Sequence, residues 1–146
     1  MEKGNIRILI VDDEEDILQA LKTHLEIDGF YVDVANSALR ALEMIEDQAF
    51  HIILTDINMP KMDGLELLEK IKALRGETIV IMITAYTSLI KVLNSRIYGA
   101  ADYLLKPFRD LSEVDEVISR AYDSLVRWDT VLAETRKIKQ QERDNG

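Results

Sequence analysis

A chain of 146 residues is long enough for one domain with a substantial core, and its 47% apolar and 31% charged residues are an ordinary globular balance. The net charge of −9 argues against a general nucleic-acid binder, which needs a basic face to displace counterions; it reflects either solubility or a concentrated carboxylate cluster that would hold a cation. With no cysteine, disulfides, thiolate metal sites and a thiol nucleophile are excluded.

Residues 1–5 are polar and lead straight into an apolar run, so no signal peptide fits there. No stretch reaches the roughly 20 apolar residues of a membrane span, and the expected location is the cytoplasm. Ile6–Val11 (IRILIV) reads as a buried strand. Asp12 to Glu15 follow, then Ile17, Leu18, Leu21 and Leu25 recur at helical spacing until Asp28-Gly29 stops the helix. Tyr31–Ala35 alternates as a second strand. Asn36-Ser37 offers an N-cap to a helix expected to turn Leu39, Leu42 and Ile45 inward. Ile52–Leu54 opens a third strand that ends at Thr55-Asp56, and a loop with Pro60 and Gly64 comes next. Leu65, Leu68 and Ile71 mark the third helix. Ile79–Ile83 is the fourth strand, residues 88–98 the fourth helix, Tyr103–Leu105 the fifth strand, and the fifth helix runs from 111. Only Gln140–Gly146 reads as disordered. Strict alternation with apolar strands predicts a parallel sheet with helices on both faces, in one of a few doubly wound arrangements. Sites in such sheets form at the carboxyl ends of the strands.

The strand ends carry Asp12-Asp13, Asp56, Thr84-Ala85 and Lys106-Pro107. If strands one, three, four and five are neighbours, these side chains converge. Clustered carboxylates repel, and a hard divalent cation relieves this; Mg2+ takes oxygen ligands and needs only one or two carboxylates. Ligand type alone leaves calcium open, though no EF-hand spacing is present. A Thr84 hydroxyl and a Lys106 ammonium would complete a phosphate cradle, leaving Asp56 as the nucleophile that forms an acyl phosphate. Singly, each element has a plainer reading: an Asp pair favours a helix N-terminus, Lys-Pro is a loop, and Thr at a strand end is a cap. Their joint placement at four strand ends carries the chemistry.

Four stretches resemble the receiver domain of two-component response regulators, the family of the chemotaxis response regulator: ILIVDDEEDI at 8–17, ILTDINMPKMDGLELL at 53–68, ITAY at 83–86 and GAADYLLKPF at 99–108. The resemblance covers residues 5–127 and leaves 128–146 as a helical extension or linker. It implies a flavodoxin-like fold, a five-stranded parallel sheet in the order 2-1-3-4-5 with five helices. By resemblance Asp56 is the phosphoacceptor for a sensor histidine kinase or phosphotransfer protein. Asp13 and Asp56 are direct Mg2+ ligands, Asp12 acts largely through a bound water, and the backbone carbonyl of Asn58 is the third protein ligand. Lys106 contacts the phosphoryl group, with a cis peptide before Pro107. Thr84 is the switch hydroxyl and Tyr103 the aromatic that moves with it, changing the surface of helix four, strand five and helix five. Asn58 and Tyr86 line the path of the hydrolytic water, where the Tyr86 ring should hinder its approach. The family is a signalling one, acting as a catalyst only on its own phosphorylation and dephosphorylation.

Two rivals fit poorly. A haloacid-dehalogenase-type phosphohydrolase usually needs a second Asp two residues beyond the nucleophile, and Asn58 stands there. A flavodoxin-like nucleotide or flavin binder needs a Gly-, Ser- or Thr-rich loop after strand one, where Asp12-Asp13-Glu14-Glu15 would repel phosphate. His24 and His51 read as surface or edge residues, and Met44, Met59, Met62 and Met82 as packing. In the fifth helix Val114, Ile118, Ala121, Leu125, Trp128 and Leu132 recur at four- and three-residue steps. The seam fades at Thr135 and Lys139. An exposed Trp128 favours a helix that pairs with a second copy or links to an output domain. No nucleic-acid or membrane contact is expected of this segment.

Overall fold

Apolar residues fill the three central strands on both faces, so these must be covered twice, and the helices do this. The computed structural model of the protein describes residues 1–85 and 89–146. After a short 3-10 turn come β1 (Arg7–Val11), α1 (Glu15–Ile27), β2 (Tyr31–Ala35), α2 (Ala38–Asp47), β3 (Ile52–Asp56) and α3 (Gly64–Leu74). β4 (Ile79–Ala85), α4 (Leu89–Ile97), β5 (Asp102–Lys106) and α5 (Ser112–Asn145) complete the chain. All ladders are parallel and the order is β2-β1-β3-β4-β5, the expected doubly wound sheet.

The period of two along each strand divides the core. Ile8, Ile10, Ile52, Leu54, Ile81 and Ile83 pack with Leu18, Leu21 and Leu25 of α1 and Val114, Val117 and Ile118 of α5. On the other face Leu9, Val11, Ile53, Val80 and Met82 meet Ala41 and Ile45 of α2 and Leu67, Leu68 and Ile71 of α3. Full burial of each such aliphatic side chain stabilises by about 1.5–3 kcal/mol.

Local signals place the helix ends. Gly29 takes the left-handed backbone, φ 105°, that ends α1. Ser37 caps α2 by accepting from the Arg40 N–H, and Asp63 caps α3 by accepting from the Leu65 and Glu66 N–H groups.

Two expectations need correction. Leu39 is not inward but 49% exposed; α2 buries Ala38, Ala41 and Ile45 instead, and Leu42 is half-buried. Small residues form that stripe, whereas the prediction tracked the large ones. Residues 140–145 are helical, not disordered: no Pro or Gly interrupts before Gly146. Among the described residues no helix is long and apolar enough to cross a membrane.

Gly64 closes the loop between β3 and α3. Its N–H donates to Ile57 O at 2.8 Å, folding the start of α3 back onto the end of β3. A Cβ there would lie 2.2 Å from the carbonyl oxygen of Asp56 and 2.8 Å from Cα of Ile57, both backbone atoms that cannot step aside. Gly64→Ala should therefore cost about 2–3 kcal/mol. Urea denaturation reads this as a lower midpoint with an unchanged slope.

Candidate functional site

The ladders set the site. Val11 pairs with Thr55, so Asp12 and Asp56, the next residues along, emerge side by side from adjacent strands. Asp56 pairs with Ile83, which puts Thr84 one step further on β4, and Ala85 pairs with Lys106 on β5. The four strand ends named from the sequence thus face one crevice, at the carboxyl edge where the strand order reverses between β1 and β3.

Asp12 is fully buried. Its N–H donates to Ala35 O on β2, and its Oδ1 accepts from the Glu14 N–H at 2.9 Å. Its Oδ2 lies 2.8 Å from Lys106 Nζ, an ion pair between a buried carboxylate and a largely buried ammonium. Asp56, also buried, accepts at Oδ1 from the Asn58 N–H at 3.3 Å and at Oδ2 from Lys106 Nζ at 3.3 Å. Asp13 is exposed, but its carboxylate lies within 4.8 Å of those of Asp12 and Asp56. Lys106 also reaches Glu14 Oε1 at 3.4 Å, a contact at the solvent-exposed edge that contributes little. The Lys106–Pro107 peptide is cis.

Burial pushes the Asp12 carboxyl above the usual carboxylate range, only partly opposed by Lys106 and the Glu14 N–H. Burial, with the Asp12 charge added, raises Asp56 in the same way, and Lys106 and the Asn58 N–H pull it back. Burial alone would lower Lys106; close contact with Asp12 and the charges of Asp56 and Glu14 outweigh it, and the ammonium is held. One lysine therefore stands against three carboxylates. An all-oxygen, over-anionic donor set of this kind fits Mg2+.

Thr84 is buried, and its hydroxyl donates to Ala85 O at 3.1 Å. Tyr103 is half-buried against the core beside α2 and α3, its hydroxyl 3.4 Å from Ser95 Oγ on α4. Asn58 is exposed at the rim. Tyr86 lies outside the described residues. The histidines stay away from the crevice: His24 on α1 meets Asp115 of α5 at 2.7 Å, and His51 accepts the Arg7 N–H on Nδ1 at the start of β3. One contact went unseen in the sequence. Lys91 on α4 donates to Asn58 Oδ1 at 3.0 Å, and no local pattern marks that lysine among its neighbours.

A family model described as the response regulator receiver domain matches residues 8–119. The chain belongs to the response regulator receiver domain family. The receiver domain is 38% identical over 115 residues to the regulatory protein AtoC of Escherichia coli (strain K12), covering 79% of this chain and 25% of AtoC. It is 37% identical over 121 residues to the transcriptional regulatory protein ZraR of the same strain, covering 83% of this chain and 27% of ZraR. The chain thus spans about a quarter of the length of these curated relatives. Among solved structures, a CheY-like response regulator receiver domain protein from Methanospirillum hungatei JF-1 superposes with a TM-score of 0.77 at 37% identity, covering 84% of this chain and 98% of that one.

The charge balance is testable without any phosphodonor. In EDTA at neutral pH, Lys106→Met should lower stability by about 3 kcal/mol, because it strands Asp12 and Asp56 without a counter-charge. Added Mg2+ should restore most of that loss. Urea midpoints with and without the ion measure both effects, and a variant as stable as the parent in EDTA would contradict the assigned balance.

Proposed function

We propose that this receiver is a phosphorylation-dependent signalling switch that takes a phosphoryl group onto Asp56 from a sensor histidine kinase, a phosphotransfer protein or a small phosphodonor. The observation that carries it is the meeting of Asp12, Asp13 and Asp56 with Lys106 at the carboxyl edge of the sheet. An Asp56 carboxylate oxygen forms the new bond to phosphorus. The bond from phosphorus to the donor breaks, and its electron pair leaves with the donor's imidazole nitrogen or carboxylate. Lys106, already within reach of Asp56, balances the arriving charge, and the Thr84 hydroxyl offers a donor for a phosphoryl oxygen. Asp12, Asp13, Asp56 and the backbone carbonyl of Asn58 would hold Mg2+, which when bound supplies positive charge to the carboxylates and the phosphoryl oxygens. Capture of the Thr84 hydroxyl, with movement of Tyr103, then alters the face built from α4, β5 and α5. Asn58 and Tyr86 set how easily water reaches the acyl phosphate. This work belongs to residues 5–127, in the cytoplasm.

Acetyl phosphate with Mg2+ should add one phosphoryl group, read by intact mass. The adduct should vanish in Asp56→Asn and in EDTA. Undiminished labelling under either condition would overturn the assignment.

Residues 128–146 support a second role. Trp128, Leu132 and Ile138 are 63%, 51% and 57% exposed, and Trp128 and Leu132 border a cleft of about 520 Å3 with Phe50 and Ile79. Acidic Asp129 and Glu134 precede basic Arg136, Lys137 and Lys139 along the same helix. This stripe would pair with a second copy, as an alternative to carrying the signal into an output domain of the kind the longer relatives leave room for. Light scattering should find concentration-dependent dimers for the full chain and monomers after truncation at Arg127. Monomers in both, with and without phosphorylation, would leave only the linker role.

A further inference from the structure

Two of the contacts Asn58 makes bear on the site. Its backbone N–H donates to the phosphoacceptor's Oδ1, and its side-chain Oδ1 accepts from Lys91 of α4. Lys91 is not an ordinary solvent-facing lysine. It is half-buried, and it shares a helix face with Ser95, four residues on, which is fully buried. Ser95 donates to Val92 O and sits against the Tyr103 hydroxyl, while Val92 packs into the core beside α2 and α3. The opposite face of α4 is the exposed one, with Ile90, Leu93 and Ile97. The rotation of α4 is thus set by its buried side, and that rotation delivers the Lys91 ammonium to the rim of the crevice.

From this geometry we propose that Lys91 is a positioning residue that prolongs the phosphorylated state by holding the Asn58 carboxamide. The inference rests on the proposed phosphorylation of Asp56 and deepens it. An ammonium has only donors, so it fixes which end of the amide it meets: the oxygen turns to α4. Hydrolysis of the acyl phosphate needs a water placed beside phosphorus. The water oxygen bonds to phosphorus, and the bond from phosphorus to the Asp56 oxygen breaks, its electron pair returning to the carboxylate. Both water protons start on the phosphate, and one is lost to solvent at neutral pH. An amide oxygen at this rim can accept a hydrogen bond from that water and align it for attack. Lys91 draws this acceptor toward the helix, so the same side chain that could guide water is kept from doing so.

Lys91→Met should speed loss of the phosphoryl group by roughly three- to tenfold, the worth of one neutral hydrogen bond expressed in a rate. Lys91→Arg, which keeps a cationic donor, should stay close to the parent rate. In an Asn58→Ala background, which preserves the backbone carbonyl and N–H, Lys91→Met should have no further effect. The measurement is the decay of the intact-mass adduct after acetyl phosphate is removed. An unchanged or slower decay in Lys91→Met overturns the inference. So does an equal acceleration in the Asn58→Ala background, because the lysine would then act through its charge or through α4 and not through the amide. A parent protein that never gains the adduct overturns the Asp56 reading, and this inference with it. An adduct with a lifetime indifferent to Lys91 overturns this inference alone.

Discussion

Two carboxylates share one closed space. Asp12 and Asp56 lie just past the Val11–Thr55 pair of β1 and β3, and that register leaves them no way apart. The burial that holds them removes much of the water that would screen them, so their repulsion is stronger than it would be at the surface. Lys106 is delivered from the far side of β4 by its pairing with Ala85, and it offsets part of that repulsion. A shift of one residue in either ladder would turn these side chains to the other face of the sheet and dissolve the site. Neutralisation still stays incomplete, with three anions and one cation. A domain folded for stability alone would place apolar side chains here. A cation answers that deficit, and without one an anionic phosphoryl group would only add to the repulsion, so the site's demand for positive charge stems from the sheet register.

The sequence showed the strands and their ends clearly because two strong signals coincided there. Apolar runs with β-branched residues need burial on both faces, and charged or hydroxyl-bearing residues stop four of the five runs at one edge. Asp12, Asp56, Thr84 and Lys106 were readable for that reason, and Ser37 and Gly29 were readable from cap chemistry. Leu39 was misread because side-chain size is a poor guide where a helix lies close to the sheet; Ala38 and Ala41 permit that approach and Leu39 does not. The reach of Lys91 to Asn58 was illegible for a different reason. It joins residues 33 apart through the packing of Val92 and Ser95, and no period or motif encodes the rotation of a short helix about its own axis.

The molecule separates its chemistry from its exposed apolar surface. The carboxylates and Lys106 occupy the carboxyl edge, while the apolar stripe of α5 leaves the sheet near the start of β3 and β4. Val114, Val117, Ile118 and Ala121 anchor the first turns of α5 to the core, and beyond Leu125 the helix has no sheet to cover. In the proposed reading, a signal from Asp56 reaches that extension by way of the face built from α4, β5 and α5. Ile90, Leu93 and Ile97 of α4 and Leu105 of β5 are exposed there. A face that is apolar and solvent-accessible is one whose packing a small local change can alter at little cost.

How far could the phosphoryl group itself drive such a change? In the structure the Thr84 hydroxyl donates to a neutral carbonyl, that of Ala85. An anionic phosphoryl oxygen is a better acceptor, and charge-assisted hydrogen bonds are roughly twice as strong as neutral ones, a gain of about 1 kcal/mol. Deeper burial of the half-exposed Tyr103 ring would contribute roughly another 1–2 kcal/mol. Taking a two-state element from one extreme to the other needs about 5.5 kcal/mol. The hydroxyl and the ring together fall short of that, so in the proposed reading phosphorylation tilts the populations of this receiver without locking them. The remainder must come from whatever docks on the α4–β5–α5 face, since a partner that prefers one arrangement adds its own binding energy to the same equilibrium.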